Sequence, residues 1–172
     1  MNKVAKFEKV SLEQFARDIV DVFDTFYSVK EIEEIYNSIE LPVRATKFSA
    51  GHDIKIPFAK SLAPSDTLKI PTGIRCKMDE GWVLKIYPRS GHGFKYGVHL
   101  ANSCGIVDAD YYGANNEGHI QVKLVNDSLL KKQIELSQGD AFCQGVFVPF
   151  GTTVNDKVNT QRTGGFGSTD NK

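Results

Sequence analysis

The 172-residue chain has three cysteines, one tryptophan, two methionines and no excess of either charge, with 21 Lys and Arg against 21 Asp and Glu. Cys76, Cys104 and Cys143 are odd in number, widely spaced and free of any Cys-x-x-Cys, which argues against a disulfide scaffold or zinc cage. Buried free thiols in a reducing compartment are expected. No apolar run approaches the roughly 20 residues that span a bilayer, and residues 1–10 alternate charged with apolar residues where a signal peptide has an apolar stretch. A soluble, cytoplasmic protein with no membrane partner follows as the expectation. Zero net charge argues against a dedicated nucleic-acid binder. Several chemistries lack their residues: there is no Walker loop, no Gly-x-Ser-x-Gly elbow and no His-x-Glu with Pro-Cys-x-x-Cys. His52, His92, His99 and His119 have no zinc spacing and read as structural or exposed.

The balanced charge conceals two unlike parts. Residues 1–40 hold 5 basic and 9 acidic residues, a net of −4; the remainder hold 16 and 12, a net of +4. A mildly basic body suits a small anionic ligand better than a duplex. Lys3 to Val10 reads as a short edge strand. Two helical periods follow: Leu12, Phe15, Ile19, Val22/Phe23, Phe26, and then Val29, Ile32, Ile35/Tyr36, Ile39. Each opens on a capping-box pattern, Ser11-Leu-Glu-Gln14 and Ser28-Val-Lys-Glu31, so a helical hairpin ending before Pro42 is predicted. Its apolar faces need a partner, either the body of the chain or another protein.

After Val43 the pattern changes to β-type runs with Gly, Pro, Asn and Asp at the joints. They are Ile54–Phe58, Thr67–Ile74, Gly81–Pro88, Val98–Leu100, His119–Val125, Lys132–Leu136 and Ala141–Pro149. An all-β sandwich or barrel is predicted, with no further helix after residue 40. Residues 151–172 are polar and Gly-rich and read as a mobile arm. Trp82 reads as core or interface.

Chemistry-bearing residues gather at the turns. Arg89-Ser90-Gly91 offers a guanidinium fork, a hydroxyl and an approachable backbone, all suited to phosphate. Asp108 and Asp110 stand at strand spacing, which would put both carboxylates on one face, suited to a general base or a magnesium environment. Gly164-Gly165-Phe166-Gly167-Ser168-Thr169 packs glycine and hydroxyls around one aromatic, a pattern fit to close on a planar anionic ligand.

Five ordered segments resemble the homotrimeric all-β dUTP diphosphatases (dUTPases) over about residues 43–172. They are Ala50-Gly-His-Asp53-Ile54, Pro88-Arg-Ser-Gly91, Gly105-Ile-Val-Asp108-Ala-Asp110-Tyr111-Tyr-Gly113, Gly139-Asp-Ala-Phe-Cys-Gln144 and Arg162-Thr-Gly-Gly-Phe166-Gly-Ser-Thr169. From Arg89 to Gly113 the spacing matches that family residue for residue. The resemblance implies a single domain over 1–172 with a β-clip or jelly-roll barrel, an inserted helical hairpin at 11–40 and a flexible arm at 151–172. It implies hydrolysis of dUTP to dUMP and pyrophosphate with Mg²⁺ on the triphosphate. Asp108 falls on the general base that activates water for attack at the α-phosphorus. Tyr111 falls on the aromatic under the deoxyribose, which leaves no room for a 2′-hydroxyl. Asn102 and the backbone through Gly105 and Val107 would read uracil. Arg89, Ser90, Gly91 and Gln144 fall on phosphate-binding positions, and Asp53 on a support of the metal through water. Phe166 would stack on uracil, with Arg162, Gly167, Ser168 and Thr169 at the phosphates. In that family each of three sites is built by three chains.

Four departures stand out. Arg162 lies one residue closer to the glycine pair than in the family pattern, and Ala141 replaces an Arg. The stretch from Gly113 to Ile120 is longer than usual, so the β-arm after Tyr111 should bulge. The hairpin from Ser11 to Glu40 occupies a place where the family has a short loop, and a protein partner for it is one alternative. A related dCTP deaminase is another alternative, but that chemistry wants a Glu where this chain has Lys123.

Overall fold

The structure, a computed structural model, describes residues 2–23, 27–160, 162 and 164–165. Among these the elements run β1 (Ala5–Lys9), α1 (Leu12–Val22), α2 (Val29–Ser38), β2 (Val43–Arg44), β3 (His52–Lys55), β4 (Lys60–Leu62), β5 (Thr67–Pro71), β6 (Ile74–Met78), β7 (Trp82–Pro88), α3 (Ser90–Tyr96), β8 (Val98–Leu100), β9 (Gly105–Val107), a 3₁₀ turn (Ala109–Gly113), β10 (Gln121–Asn126), β11 (Ile134–Leu136) and β12 (Ala141–Pro149). A five-stranded sheet has the order β2-β3-β12-β7-β9, a three-stranded sheet β5-β10-β8, and two ribbons pair β1 with β6 and β4 with β11. Every pairing is antiparallel. The all-β prediction is met.

Alternation builds the sheets. On β10, Val122, Leu124 and Asn126 point inward while Lys123 faces solvent, and β12 buries Phe142 and Cys143 beside a bulge at Ala141/Cys143. The expected strand Thr67–Ile74 ends early, as β5 at Pro71, because Thr72-Gly73 turns the chain with Gly73 at φ +73°; β6, which begins at Ile74, lies beyond the expected range except for that residue. Strands β2, β4 and β9 were not foreseen; each is two or three residues long, too short to show a period. Helix α3 overturns the expectation of no helix beyond residue 40. Its sequence, SGHGFKY, has two glycines and no apolar period, and it stops at Gly97 in a left-handed conformation.

The hairpin forms as predicted, and its apolar faces turn to the chain's own body. Phe15 and Ile19 of α1 are fully buried, with Phe23, Ile32 and Ile39, in the same core as Ile70, Ile74 and Leu124. Burial of that kind contributes roughly 1.5–3 kcal/mol for each large side chain. Phe23 meets Phe58 edge to face at 4.9 Å, and the Tyr36 hydroxyl donates to Val10 O at 2.8 Å. Gly73 is the docking point on the body: a Cβ there would lie 2.2 Å from Ile39 Cδ1, and its carbonyl accepts from Val10 N–H at 3.0 Å. Phe26, assigned to the first helical period, lies outside the described residues.

The two helix starts differ. Ser28 and Glu31 form the full reciprocal capping box. Ser11 accepts from Gln14 N–H, but the return arm is not supplied by Gln14, whose amide instead donates to Asp18. Glu117, from the long stretch after Tyr111, accepts from both the Ser11 N–H (2.7 Å) and its hydroxyl (2.6 Å). Residues 151–160 are exposed and in neither helix nor strand. No helix among the described residues is long and apolar enough to cross a membrane.

Candidate active site

Strands β7 and β9 pair with Leu84 opposite Val107 and Ile86 opposite Gly105. A Cβ on Gly105 would lie 3.0 Å from Ile86 Cβ, so glycine lets the two strands close tightly there. Between β8 and β9 the chain reverses through Ser103 at φ +62°, with Ser103 N–H donating to Leu100 O at 2.9 Å. This reversal overhangs a cleft of about 520 Å³ whose walls are Ile86, Leu100, Ile120 and Val122, with Asn102, Gly105 and Val107 at the hairpin and Tyr111 behind. That volume lies within the range of small-molecule sites, roughly 300–1,000 Å³. Apolar walls with a backbone-rich rim suit a flat heterocycle that presents hydrogen-bonding edges.

Tyr111 is buried. Its hydroxyl donates to His119 O at 2.9 Å and accepts from Asn116 Nδ2 at 2.8 Å. Burial raises the phenol above its ordinary pKa, so the ring is neutral. Next to it, Tyr112 is held from the opposite side: its hydroxyl donates to Glu8 at 2.6 Å and the Arg75 guanidinium stacks 4.5 Å from its ring centre.

Strand β9 ends at Val107, and Asp108 is the N-cap of the 3₁₀ turn, half-exposed with φ −80° and ψ 159°. The strand spacing expected for Asp108 and Asp110 is therefore absent. Their carboxylates converge for another reason: Arg162 donates from Nη2 to Asp108 Oδ2 at 2.5 Å and from Nε to Asp110 Oδ1 at 3.2 Å. Arg162 also lines the cleft, its guanidinium 5.8 Å from the Tyr111 ring centre. Gly165 follows it against Tyr111, where a Cβ would lie 2.6 Å from Cε2. Phe166, Gly167, Ser168 and Thr169 lie outside the described residues.

A second polar group forms across β3, β12 and β7. Gln144 stands opposite Asp53 on one side and Tyr87 on the other. Arg89 Nη1 donates to Asp53 Oδ2 at 3.0 Å, and Gln144 Nε2 donates to Pro88 O at 3.4 Å. Gly51 leaves space for the Gln144 amide, since a Cβ there would lie 2.3 Å from Oε1. Ser90 and Gly91 open helix α3 beside Arg89. None of Asp53, Arg89, Ser90, Gly91 and Gln144 is among the residues that line the cleft. In one chain the sequence-derived site is thus two clusters.

Sequence reasoning missed three participants. Lys69 and Lys123 face each other across β5 and β10 and both line the cleft. A like-charge pair directly opposite is unfavourable, and Lys69 finds relief 3.5 Å from Asp21 of α1. Cys104, expected to be buried, is half-buried at the cleft wall, while Cys76 and Cys143 are buried as expected. Trp82 is half-buried and packs against the core. No signal in the sequence alone separates these residues from ordinary strand and turn positions.

Comparison with known proteins adds four findings. Residues 37–170 match the family model described as dUTPase. The deoxyuridine 5′-triphosphate nucleotidohydrolase of Lactococcus lactis subsp. lactis (strain IL1403) is 40% identical over 134 residues, covering 76% of this chain and 88% of that protein. Among solved structures, the dUTPase from Streptococcus mutans aligns with a TM-score of 0.63 at 30% identity, over 86% of this chain and 97% of that one. A mutant dUTPase from phage phi11 of S. aureus, described for its coordination of a structural Mg(II) ion, shares the fold at 20% identity, with a TM-score of 0.59 over 74% of this chain and 94% of that one.

Proposed function

The chain belongs to the dUTPase family and hydrolyses dUTP to dUMP and pyrophosphate, and we propose that Asp108 is the base that activates the attacking water. The observation that supports this reading is that Asp108 follows directly on Val107, which lines the cleft, precedes Tyr111, which also lines it, and is bonded to Arg162, a third lining residue. The Asn102–Gly105 hairpin reads the uracil edge, and the Tyr111 ring lies under the deoxyribose. Asp108 takes the water proton as oxygen attacks the α-phosphorus; the bond to the bridging oxygen breaks and pyrophosphate leaves. Positioning and charge neutralisation account for most of such a reaction.

Arg89, Ser90, Gly91 and Gln144 bind phosphate, and Arg162 transfers from the two aspartates to the triphosphate when substrate enters. Phe166 stacks on uracil as Gly167, Ser168 and Thr169 reach the phosphates. Because the phosphate cluster and the cleft are separate in one chain, the complete site is shared among chains of a homotrimer. Residues 1–172 form one domain with 151–172 as its arm, acting in the cytoplasm.

Among the described residues no three His, Cys, Asp or Glu side chains converge as a metal cage. Oxygen-preferring Mg²⁺ fits a site where substrate phosphates supply most ligands and Asp53 adds support through water. Bound there, it would neutralise triphosphate charge.

The alternative of a partner-binding insert is not favoured, since the apolar faces of α1 and α2 are buried in the chain's own core. The test is pyrophosphate release from dUTP, UTP, dTTP and dCTP with Mg²⁺. Release from dUTP with little from the others, abolished by Asp108→Asn with nucleotide binding retained, supports the reading. Normal turnover by Asp108→Asn overturns the assignment of the base, and ammonia release from dCTP would move the protein to the deaminases.

A further inference from the structure

The hydrogen bonds behind Tyr111 lead into the helical insert. After the 3₁₀ turn the chain doubles back through Glu117 (φ +58°) and Gly118 (φ +69°), and a Cβ on Gly118 would lie 2.6 Å from Tyr111 O. This tight loop carries Asn116 and His119, the two partners of the Tyr111 hydroxyl. His119 is fully buried, and its Nε2 accepts from Gly73 N–H at 2.7 Å. The ring proton is therefore on Nδ1, from which it is donated to Asp18 Oδ2 in a short bond. A second proton on Nε2 would confront the Gly73 N–H, so the geometry holds one tautomer and one ring orientation.

Asp18 belongs to α1, and Gln14 Nε2 donates to the same carboxylate oxygen at 2.9 Å. Two turns earlier, the N-cap residue Ser11 is bonded through N–H and hydroxyl to Glu117. One turn later, Asp21 faces Lys69 on the cleft wall. Ser11 and Asp18 thus fix one helix to two residues of the loop behind Tyr111, Glu117 and His119, while Asp21 ties the same helix to β5.

We propose that Asp18 is a positioning residue for the reaction, and that helix α1 sets the Tyr111 ring through the Asp18–His119 and Ser11–Glu117 links and thereby sustains discrimination of dUTP from UTP. This rests on the reading of Tyr111 as the ring beneath the deoxyribose. Exclusion of a 2′-hydroxyl depends on a ring face that does not yield by even a fraction of an ångström. Van der Waals exclusion of one oxygen atom fails when the wall behind it relaxes.

The test compares kcat and KM for dUTP and UTP in the unsubstituted protein and in Asp18→Ala, Asp18→Asn, Glu117→Ala, Ile32→Ala and Tyr111→Ala. Asp18→Ala is expected to lower the dUTP/UTP ratio of kcat/KM on the order of tenfold. Asp18→Asn keeps an oxygen for the His119 Nδ1–H and should restore most of the ratio. Ile32→Ala loosens the core of the insert without touching His119 and should lower the melting temperature while leaving the ratio intact. If Asp18→Ala does not fold, Glu117→Ala cuts the other link and should lower the ratio by about threefold. An unchanged ratio in Asp18→Ala, or in Glu117→Ala where that variant stands in, beside a reduced one in Tyr111→Ala overturns the proposal alone. So does an equal reduction by Ile32→Ala. An unchanged ratio in Tyr111→Ala removes the sugar-contact reading itself, and the proposal with it.

Discussion

Arg162 holds Asp108 at 2.5 Å through Nη2 while its Nε reaches Asp110 at 3.2 Å. The group proposed to take a proton from water is thus occupied by a guanidinium from the arm. On the proposed reading a triphosphate draws that guanidinium away from the two carboxylates, so that substrate entry frees the base and engages the arm in one exchange. Removing residues after Asn159 eliminates the exchange and the Phe166 segment together. Turnover, followed as pyrophosphate release, is expected to fall by at least about 10²-fold, with circular dichroism and assembly mass unchanged.

The three thiols should separate cleanly by accessibility. Burial pushes Cys76 up to about 12 and Cys143 well above its ordinary value, while Cys104 stands half-buried at the cleft wall. Iodoacetamide on the native protein is expected to label Cys104 first, as read by peptide mass, and dUMP should protect it. Labelling of Cys76 ahead of Cys104 would contradict this arrangement.

Two glycines should respond differently to alanine. At Gly51 the obstacle is the end of the Gln144 side chain, which can swing aside. Gly51→Ala is expected to cost less than about 1 kcal/mol of stability while lowering dUTP turnover through displaced Gln144. At Gly118 the obstacle is the backbone of Tyr111 and Tyr112, and φ is +69°. Gly118→Ala is expected to cost about 3 kcal/mol or more, measured by urea unfolding.

Acid should weaken the fold through three carboxylates that join distant segments. Hydrogen bonds from Lys6 and Tyr112 lower Glu8 from 4.5 to about 2. Burial pushes Asp18 and Glu117 upward, but bonds from His119 and Gln14 to the first, and from Ser11 to the second, leave both below their ordinary values. A carboxyl lowered in the folded state stabilises it fully above the unfolded pKa and loses that contribution as pH falls through the folded one. Urea midpoints should therefore hold at neutral pH, begin to fall below about pH 4.5, and keep falling toward pH 2. Glu8→Gln should make the lowest part of that decline shallower.

Much of the fold was legible where one segment carried its own signal. Ser28 with Glu31, the apolar spacing of Phe15 and Ile19, and the long run Ala141–Pro149 specify their elements locally. Other features depend on partners far along the chain. Ser11 looked like half of a local box with Gln14, but its carboxylate arrives from Glu117. The reading of Asp108 and Asp110 as strand neighbours failed because Tyr111 must turn inward to reach His119, which winds the segment into a 3₁₀ turn. The charge asymmetry between the two parts of the chain became specific contacts, with Asp21 and Glu40 of the first part set against Lys69 and Lys55 of the body.

Ser11 and Glu117 lie 106 residues apart, yet the start of α1 and the loop behind Tyr111 are each completed by the other. A chain with the hairpin but not the loop would leave the start of α1 without its carboxylate, and one with the loop alone would leave Glu117 without its donors. The two segments are therefore one module: to graft the hairpin onto another chain is to graft the loop with it.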